Sequence, residues 1–158
     1  MAIVREKLIT QLEQTNSALV KLVNGLEDNA LDFKPETDSW SIREILAHLV
    51  DDEMYVMRLR LVRIVREDLP HLVPHDEKKW YLHRNNSRDK LEELLEDFSI
   101  QRRASLGIIQ MMRESDWIRE GIQPEYGQFS AEKWLEKWAG HDVVHLKQIS
   151  QNLAAFQK

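Results

Sequence analysis

The apolar positions of this chain fall into four long runs with helical spacing. Between the runs lie connections that hold all four prolines and two of the five glycines. From Ala2 to Leu26, the residues Ile3, Leu8, Leu12, Leu19, Leu22, Val23 and Leu26 recur mostly at steps of three, four and seven, which gathers them on one helix face. A connection from Glu27 to Ser39 follows, and Pro35 within it argues for a loop. The second helix starts at a capping box, Ser41-Ile42-Arg43-Glu44. There the Ser oxygen and the Glu carboxylate satisfy free backbone N–H groups reciprocally, and Trp40 is placed to staple the entry. This helix is predicted to run to about Glu67 with Ile42, Ile45, Leu46, Leu49 and Val56 inward. His48 lies at the border of that face, and Asp52, Tyr55 and Leu59 project from nearly the same side.

The stretch from Asp68 to Asn86 carries Pro70, Pro74, Trp80 and three histidines, His71, His75 and His83, and is predicted to be irregular. Loops of this length in compact domains are often functional, but these histidines have no helical frame to aim them at a metal. A third helix begins near Asn86 or Ser87 and runs to about Met112. It buries Leu91, Leu94, Leu95, Phe98, Ile108, Ile109 and Met112, and leaves Glu92, Glu93, Glu96 and Asp97 as a solvated surface. After a connection from Arg113 to Phe129, Ser130 caps a fourth helix that reaches about Phe156. No strand-like alternation of useful length, internal repeat or low-complexity segment is present. Four amphipathic helices of roughly 25 residues each predict an all-α four-helix bundle forming one domain over 1–158, with a long connection between helices 2 and 3.

Composition narrows the partners. The formal net charge of −5 over 158 residues argues against nucleic acid, because no excess of Lys and Arg meets phosphates. Arg58, Arg60, Arg63 and Arg66 form a local basic run whose helical spacing reads as a solvated face. The chain has no cysteine, which excludes disulfides, thiolate ligands and a cysteine nucleophile. The N-terminal segment lacks the apolar run of a signal peptide, and no stretch reaches the ~18 apolar residues of a membrane span. A cytoplasmic location and no membrane partner are the expectation.

The candidate chemistry lies in the fourth helix. At about 100° per residue, Trp134, Trp138, His141, His145, Ile149 and Phe156 share one narrow stripe. His141 and His145 therefore point the same way, from the middle of an apolar face. An unpaired buried polar group costs a few kcal/mol. Two arrangements offset that cost: a metal held by H-x-x-x-H spacing, or two core histidines bonded to hydroxyls, carboxylates or water. Asp142 stands where a zincin has its Glu, which argues against that metalloprotease class.

Trp40-Ser41-Ile42-Arg43-Glu44-Ile45-Leu46-Ala47-His48-Leu49-Val50-Asp51-Asp52-Glu53 resembles the first signature of the DinB-like superfamily, the YfiT-like metal-dependent hydrolases. Gly140-His141-Asp142-Val143-Val144-His145-Leu146-Lys147-Gln148-Ile149 resembles its last. Leu31-Asp32-Phe33-Lys34-Pro35 and Pro124-Glu125-Tyr126-Gly127 agree with the pattern too, so the resemblance covers nearly the whole chain. It implies an up-up-down-down-type bundle in which His48, His141 and His145 hold one divalent metal. Zinc or nickel, a homodimer and a small-molecule substrate are implied with it. Such families include thiol S-transferases that use bacillithiol or mycothiol, and a thiol-dependent isomerase. They also include members without a known activity, so a non-catalytic metal- or ligand-binding bundle stays open.

Three neutral imidazoles with an open position match catalytic rather than structural zinc sites. Either water or an external thiol would be activated there. Asp52, one turn after His48, is the expected partner for a histidine N–H or the general base; a polar residue at the bundle rim is the alternative. Tyr55 is the expected donor to a bound anion. Gln148 is expected beside the ligands or in helix packing. Asp142 is turned about 100° from His141 and should face away. Trp134 and Trp138 are expected to fill core or wall the pocket.

Overall fold

The computed structural model describes residues 2–158. Four rods make the bundle. The first is α1, Ala2–Val23, which ends ahead of Gly25 in the left-handed region (φ 78°), as helix C-termini often require. A single turn, α2 (Asp28–Leu31), lies in the first connection. The second rod is composite: α3 (Ile42–Asp52), a π-helical turn at Glu53–Met57, then α4 (Arg58–Arg66). The predicted capping box is present, with Ser41 Oγ accepting from the Glu44 N–H at 3.2 Å and Glu44 accepting from the Ser41 N–H at 2.8 Å. A short helix, α5 (Glu77–Leu82), breaks the long connection. The third and fourth rods are α6 (Leu91–Met111) and α7 (Ala131–Phe156), and Ser130 caps α7 through the Lys133 N–H.

The helix directions differ from the up-up-down-down expectation. Near its N-terminus α1 meets the start of α7 through Arg5 and Glu132, and further along Thr15 meets Asp142, so the two rods are parallel. Arg5 also reaches Glu114, just past the end of α6, while Leu12 meets Arg102, so α6 runs against α1. Met57 meets Trp134 and Trp40 meets Asn152, so the second rod opposes α7. The order is up, down, down, up. Only the second and third rods are consecutive and parallel, and that crossover is why the connection between them must be long.

Two four-residue strands also depart from the all-helical expectation. β1 (Glu120–Gln123) pairs antiparallel with β2 (Gly127–Ser130). The buried Gln123 side chain organises the turn by accepting from the Glu125 and Tyr126 N–H groups. The long connection is tied to this hairpin: the Leu72 N–H donates to the Ile122 carbonyl at 2.7 Å, and the Ile122 N–H to the Pro70 carbonyl at 2.9 Å. Gly121 lets the backbones close. A Cβ there would meet Ile64 at 3.0 Å and Leu72 at 3.2 Å.

The core has two apolar halves. One gathers Leu12, Val56, Leu61, Ile64, Trp134 and Trp138; the other gathers Leu19, Ile45, Leu49, Phe98 and Ile149. Between them each rod contributes polar groups at one level: Thr15, His48 with Asp52 and Glu53, Arg102, and Asp142 near His141 and His145. This polar belt holds the site.

Candidate metal centre

The three histidines converge. His48 Nε2 lies 3.1 Å from both His141 Nε2 and His145 Nε2, and the last two are 3.2 Å apart. Donors about 2.0–2.1 Å from a shared zinc at tetrahedral angles would be about 3.3 Å apart, so the triangle has the right size for one cation. Three ring nitrogens so close cannot all be paired among themselves when neutral, since each ring N–H points at one neighbour and at least one pair of the triangle is left without a shared proton. One tautomer is fixed from outside: His145 Nδ1 lies 2.9 Å from Gln148 Oε1, so Nδ1 carries the proton and the Nε2 lone pair faces the triangle. Trp40 packs edge-on against His48.

The surrounding charge also fits a cation. Burial pushes His48 down to about 3, against the pull of Asp52. Burial likewise pushes His145 down to about 4, helped by His141. Burial works to lower His141 too, but the Asp142 and Asp52 carboxylates outweigh it and hold it up at about 9. Asp52 is 6% exposed. Burial alone would raise its carboxyl, but the imidazoles of His141, His75 and His48 hold it below the usual range. Its Oδ2 lies 3.3 Å from His141 Nε2 and its Oδ1 3.5 Å from His48 Nδ1. Buried Asp52 Oδ1 and His75 Nε2, 3.4 Å apart, make no hydrogen bond among the described residues.

Behind the triad sits a buried ion network. Arg102 donates to both Glu53 oxygens at 2.9 Å, to Asp142 at 2.6 and 3.0 Å, and to the Leu12 carbonyl at 2.8 Å. Trp138 Nε1 donates to Glu53 and Thr15 Oγ to Asp142. One guanidinium thus faces two buried carboxylates, and Asp52 adds a third on the triad side. The surplus of negative charge at this level is what a divalent cation on three neutral imidazoles would balance.

The structure brings His48, His141, His145, Asp52 and Gln148 to one place. Asp142 does turn away from the triangle, into the Arg102 network. Trp134 and Trp138 fill core, each with its indole N–H bonded. Tyr55 is not brought to the triad: it is 46% exposed and its ring packs against Trp80. His71 and His83 are exposed, whereas His75 reaches Asp52. Sequence reasoning missed Glu77, whose carboxylate lies 3.5 Å from His48 Nε2 and which forms a second potential ligand group with His48 and Asp52. The one local signal was Asp76, which caps α5 through the Lys79 N–H and so gives Glu77 a helical frame. Arg102 and Glu53 were missed as well.

A cleft of about 140 Å³ beside His141 is lined by Asp52, Arg60, His75, Glu77, Tyr126 and Trp134, among others. A second, of about 220 Å³, shares Val56, Arg60 and His75 with it and adds Tyr55, Leu59 and Trp80. Among the described residues no helix is long and apolar enough to cross a membrane.

Comparison with known proteins agrees with this fold. A protein of Oceanobacillus iheyensis named a "putative metal-dependent hydrolase" is 28% identical over 159 residues, covering 94% of this chain and 85% of its own length. YfiT of Bacillus subtilis, named likewise, is 30% identical over 76 residues, 48% of this chain and 42% of that protein. The solved structure of YfiT, described as a probable metal-dependent hydrolase with an unusual four-helix bundle topology, matches with a TM-score of 0.78 at 20% identity, covering 95% of this chain and 87% of that one; that likeness is one of fold. The family model of the DinB superfamily matches residues 11–149, and with both histidine motifs inside that span the chain belongs to the DinB superfamily.

Proposed function

We propose that the protein is a metal-dependent hydrolase of a small molecule, with His48, His141 and His145 as ligands for one zinc or nickel ion. The observation that carries this is the triangle of Nε2 atoms beside an ionised, buried carboxylate. A divalent cation bound there supplies Lewis acidity, lowering the pKa of water and polarising a carbonyl or phosphoryl group. Asp52 is the proton acceptor: its carboxylate flanks the triad, is ionised at neutral pH, and has one oxygen free of hydrogen bonds. His75, raised by its contact with Asp52 in spite of burial, is placed to carry that proton onward. Gln148 holds His145 in register. Tyr55 in the adjoining cleft is the proposed donor to the far end of a bound anion. Assembly as a homodimer and a cytoplasmic location complete the proposal.

In a hydrolase the nucleophile is water; an external low-molecular-weight thiol of the bacillithiol type at the same site would make the protein a thiol S-transferase, and the chain supplies no thiol of its own. The test is elemental analysis of purified protein, then assays with ester, amide and electrophile panels, with and without added thiol. One cation per chain is expected. Asp52→Asn should retain metal and lose about 10²–10⁴ in rate, and His48→Ala should lose both. Full activity in metal-stripped protein would refute the proposal. One observation favours a non-catalytic metal-binding bundle: each cleft is smaller than the ~300–1,000 Å³ of ordinary ligand sites. In that case the loaded protein binds its cation and turns over nothing.

A further inference from the structure

Arg60 is the one member of the basic run that does not behave as a surface residue. Arg58 bonds the Gln101 side chain and carbonyl; Arg63 pairs with Glu67 and the His71 carbonyl. Arg60 is 7% exposed. Among the described residues it has no carboxylate within salt-bridge distance; its hydrogen bond runs from Nη2 to the Val73 carbonyl at 2.9 Å. Its guanidinium lies over the Trp134 ring, 5.2 Å from the centroid. A guanidinium with five donors and one acceptor partner turns most of its hydrogen-bonding capacity to the clefts it lines.

Its position explains what those donors face. Arg60 lines both the cleft beside His141 and the adjoining cleft walled by Tyr55, Leu59, Leu72 and Trp80. It therefore stands between the triad and an apolar wall. The π-turn is what puts it there. On a straight α-helix, positions four apart drift about 40° per step, so Arg60 would be turned roughly 120° from His48. The wider turn at Glu53–Met57 takes back part of that drift, and Asp52, Val56 and Arg60 line the same cleft. The carboxylates of Asp52, Glu77 and Glu125 also line it. Asp52 and Glu77 lie near the triad, and Tyr126, Asp52 and the exposed Glu125 of the hairpin turn all act on Arg60 electrostatically, yet none of them is within salt-bridge distance of it among the described residues.

We propose that Arg60 is the anion-recognition residue of this site, and that the substrate is a small organic anion, a carboxylate or phosphate joined to an apolar group that rests between Tyr55, Leu59 and Trp80. The planar fork of arginine matches such oxygens with two parallel hydrogen bonds. The assignment deepens the hydrolase reading, because it sets the substrate class of the same site, yet its binding step needs no turnover.

The test is binding of phenylacetate, phenylphosphonate and the neutral phenylacetamide to the full chain, metal-loaded and metal-stripped, followed by tryptophan fluorescence and calorimetry. Trp134 under the guanidinium is a built-in reporter. The wild type should bind at least one of the two anions tenfold or more tighter than the amide; which anion is tighter names the charged group. Arg60→Met, which keeps packing on Trp134, should lose at least tenfold for the anions and nothing for the amide. Arg60→Lys should recover only part of the loss. Metal content should be unchanged in both variants, and circular dichroism should show the native helix content. If Arg60→Met unfolds, Arg60→Lys carries the comparison. Equal affinity for anion and amide, no anion binding by the wild type, or an unchanged affinity in Arg60→Met and Arg60→Lys would each overturn the assignment. Loss of the metal reading is separate: a chain that holds no cation but still binds the anion through Arg60 refutes the hydrolase while leaving this site standing.

Discussion

Replacing Arg102 with methionine tests whether the polar belt is held by its charge balance. The substitution keeps most of the side-chain volume and removes the guanidinium's hydrogen bonds to Glu53, Asp142 and the Leu12 carbonyl, leaving only Trp138 on Glu53 and Thr15 on Asp142. Glu53 is 1% exposed and Asp142 2%, so water cannot replace the lost partner without opening the bundle. Breaking a buried pair by removing one member costs about 3–5 kcal/mol, a large share of the ~5–15 kcal/mol that holds a domain. With a urea slope of about 1–3 kcal/mol/M, the unfolding midpoint should fall by more than 1 M at pH 7. The pH dependence supplies a sign. In the wild type, burial opposes ionisation of Asp142, but His141, Arg102 and Thr15 outweigh it and lower its pKa. Its contribution is therefore present above the unfolded carboxyl value near ~3.9 and is lost as pH falls through the depressed folded value. In Arg102→Met burial is opposed only by His141 and Thr15, so the Asp142 carboxyl rises from its depressed value and the deficit should shrink as pH is lowered from 7 toward 5. Adding Glu53→Gln and Asp142→Asn should recover part of the loss. A midpoint shift corresponding to under about 1 kcal/mol, or a deficit that grows on acidification over that range, would refute the account of the belt.

Three further outcomes follow from the geometry. Gln148→Ala frees the His145 Nδ1–H, and metal affinity measured by competition with a chelator should fall about 10–100-fold with little change in thermal midpoint; an unchanged affinity would remove Gln148 from the site. Because His141 is held up at about 9 in the metal-free chain and must lose its proton to bind a cation, affinity should rise with pH between 6 and 8, with close to one proton released per cation in calorimetry across two buffers; a flat profile contradicts this. Gly121→Ala places a methyl 3.0 Å from Ile64 and 3.2 Å from Leu72, so it should cost about 1–3 kcal/mol and speed proteolysis of the 68–75 segment, while an undisturbed protease pattern would show that the contact yields freely.

The sequence by itself determined the rods, their caps and the histidine pair. Period-3.6 apolar spacing dictates amphipathic helices wherever the chain packs. Ser41 with Glu44, and Ser130, mark helix starts by chemistry that acts within one turn. His141 and His145 share a face because they are four residues apart, and the signature around His48 pointed to the third histidine of the triangle. Only the tertiary structure decided how the rods run and what the middle of the bundle contains. Direction depends on how connections cross between helices, which no local pattern encodes, so the up-down-down-up order was not legible. Arg60 read as part of a solvated face, and Arg102 and Glu53 carried no signal of burial, because charges are buried only when distant partners or a ligand accept them, and Arg102 finds Glu53 and Asp142 49 and 40 positions away. Glu77 and His75 reach the triad because the long connection is tied to β1, whose four residues, Glu-Gly-Ile-Gln, carry too little alternation to announce a strand. Local spacing aimed two of the three histidines; long-range packing supplied the charge that surrounds them.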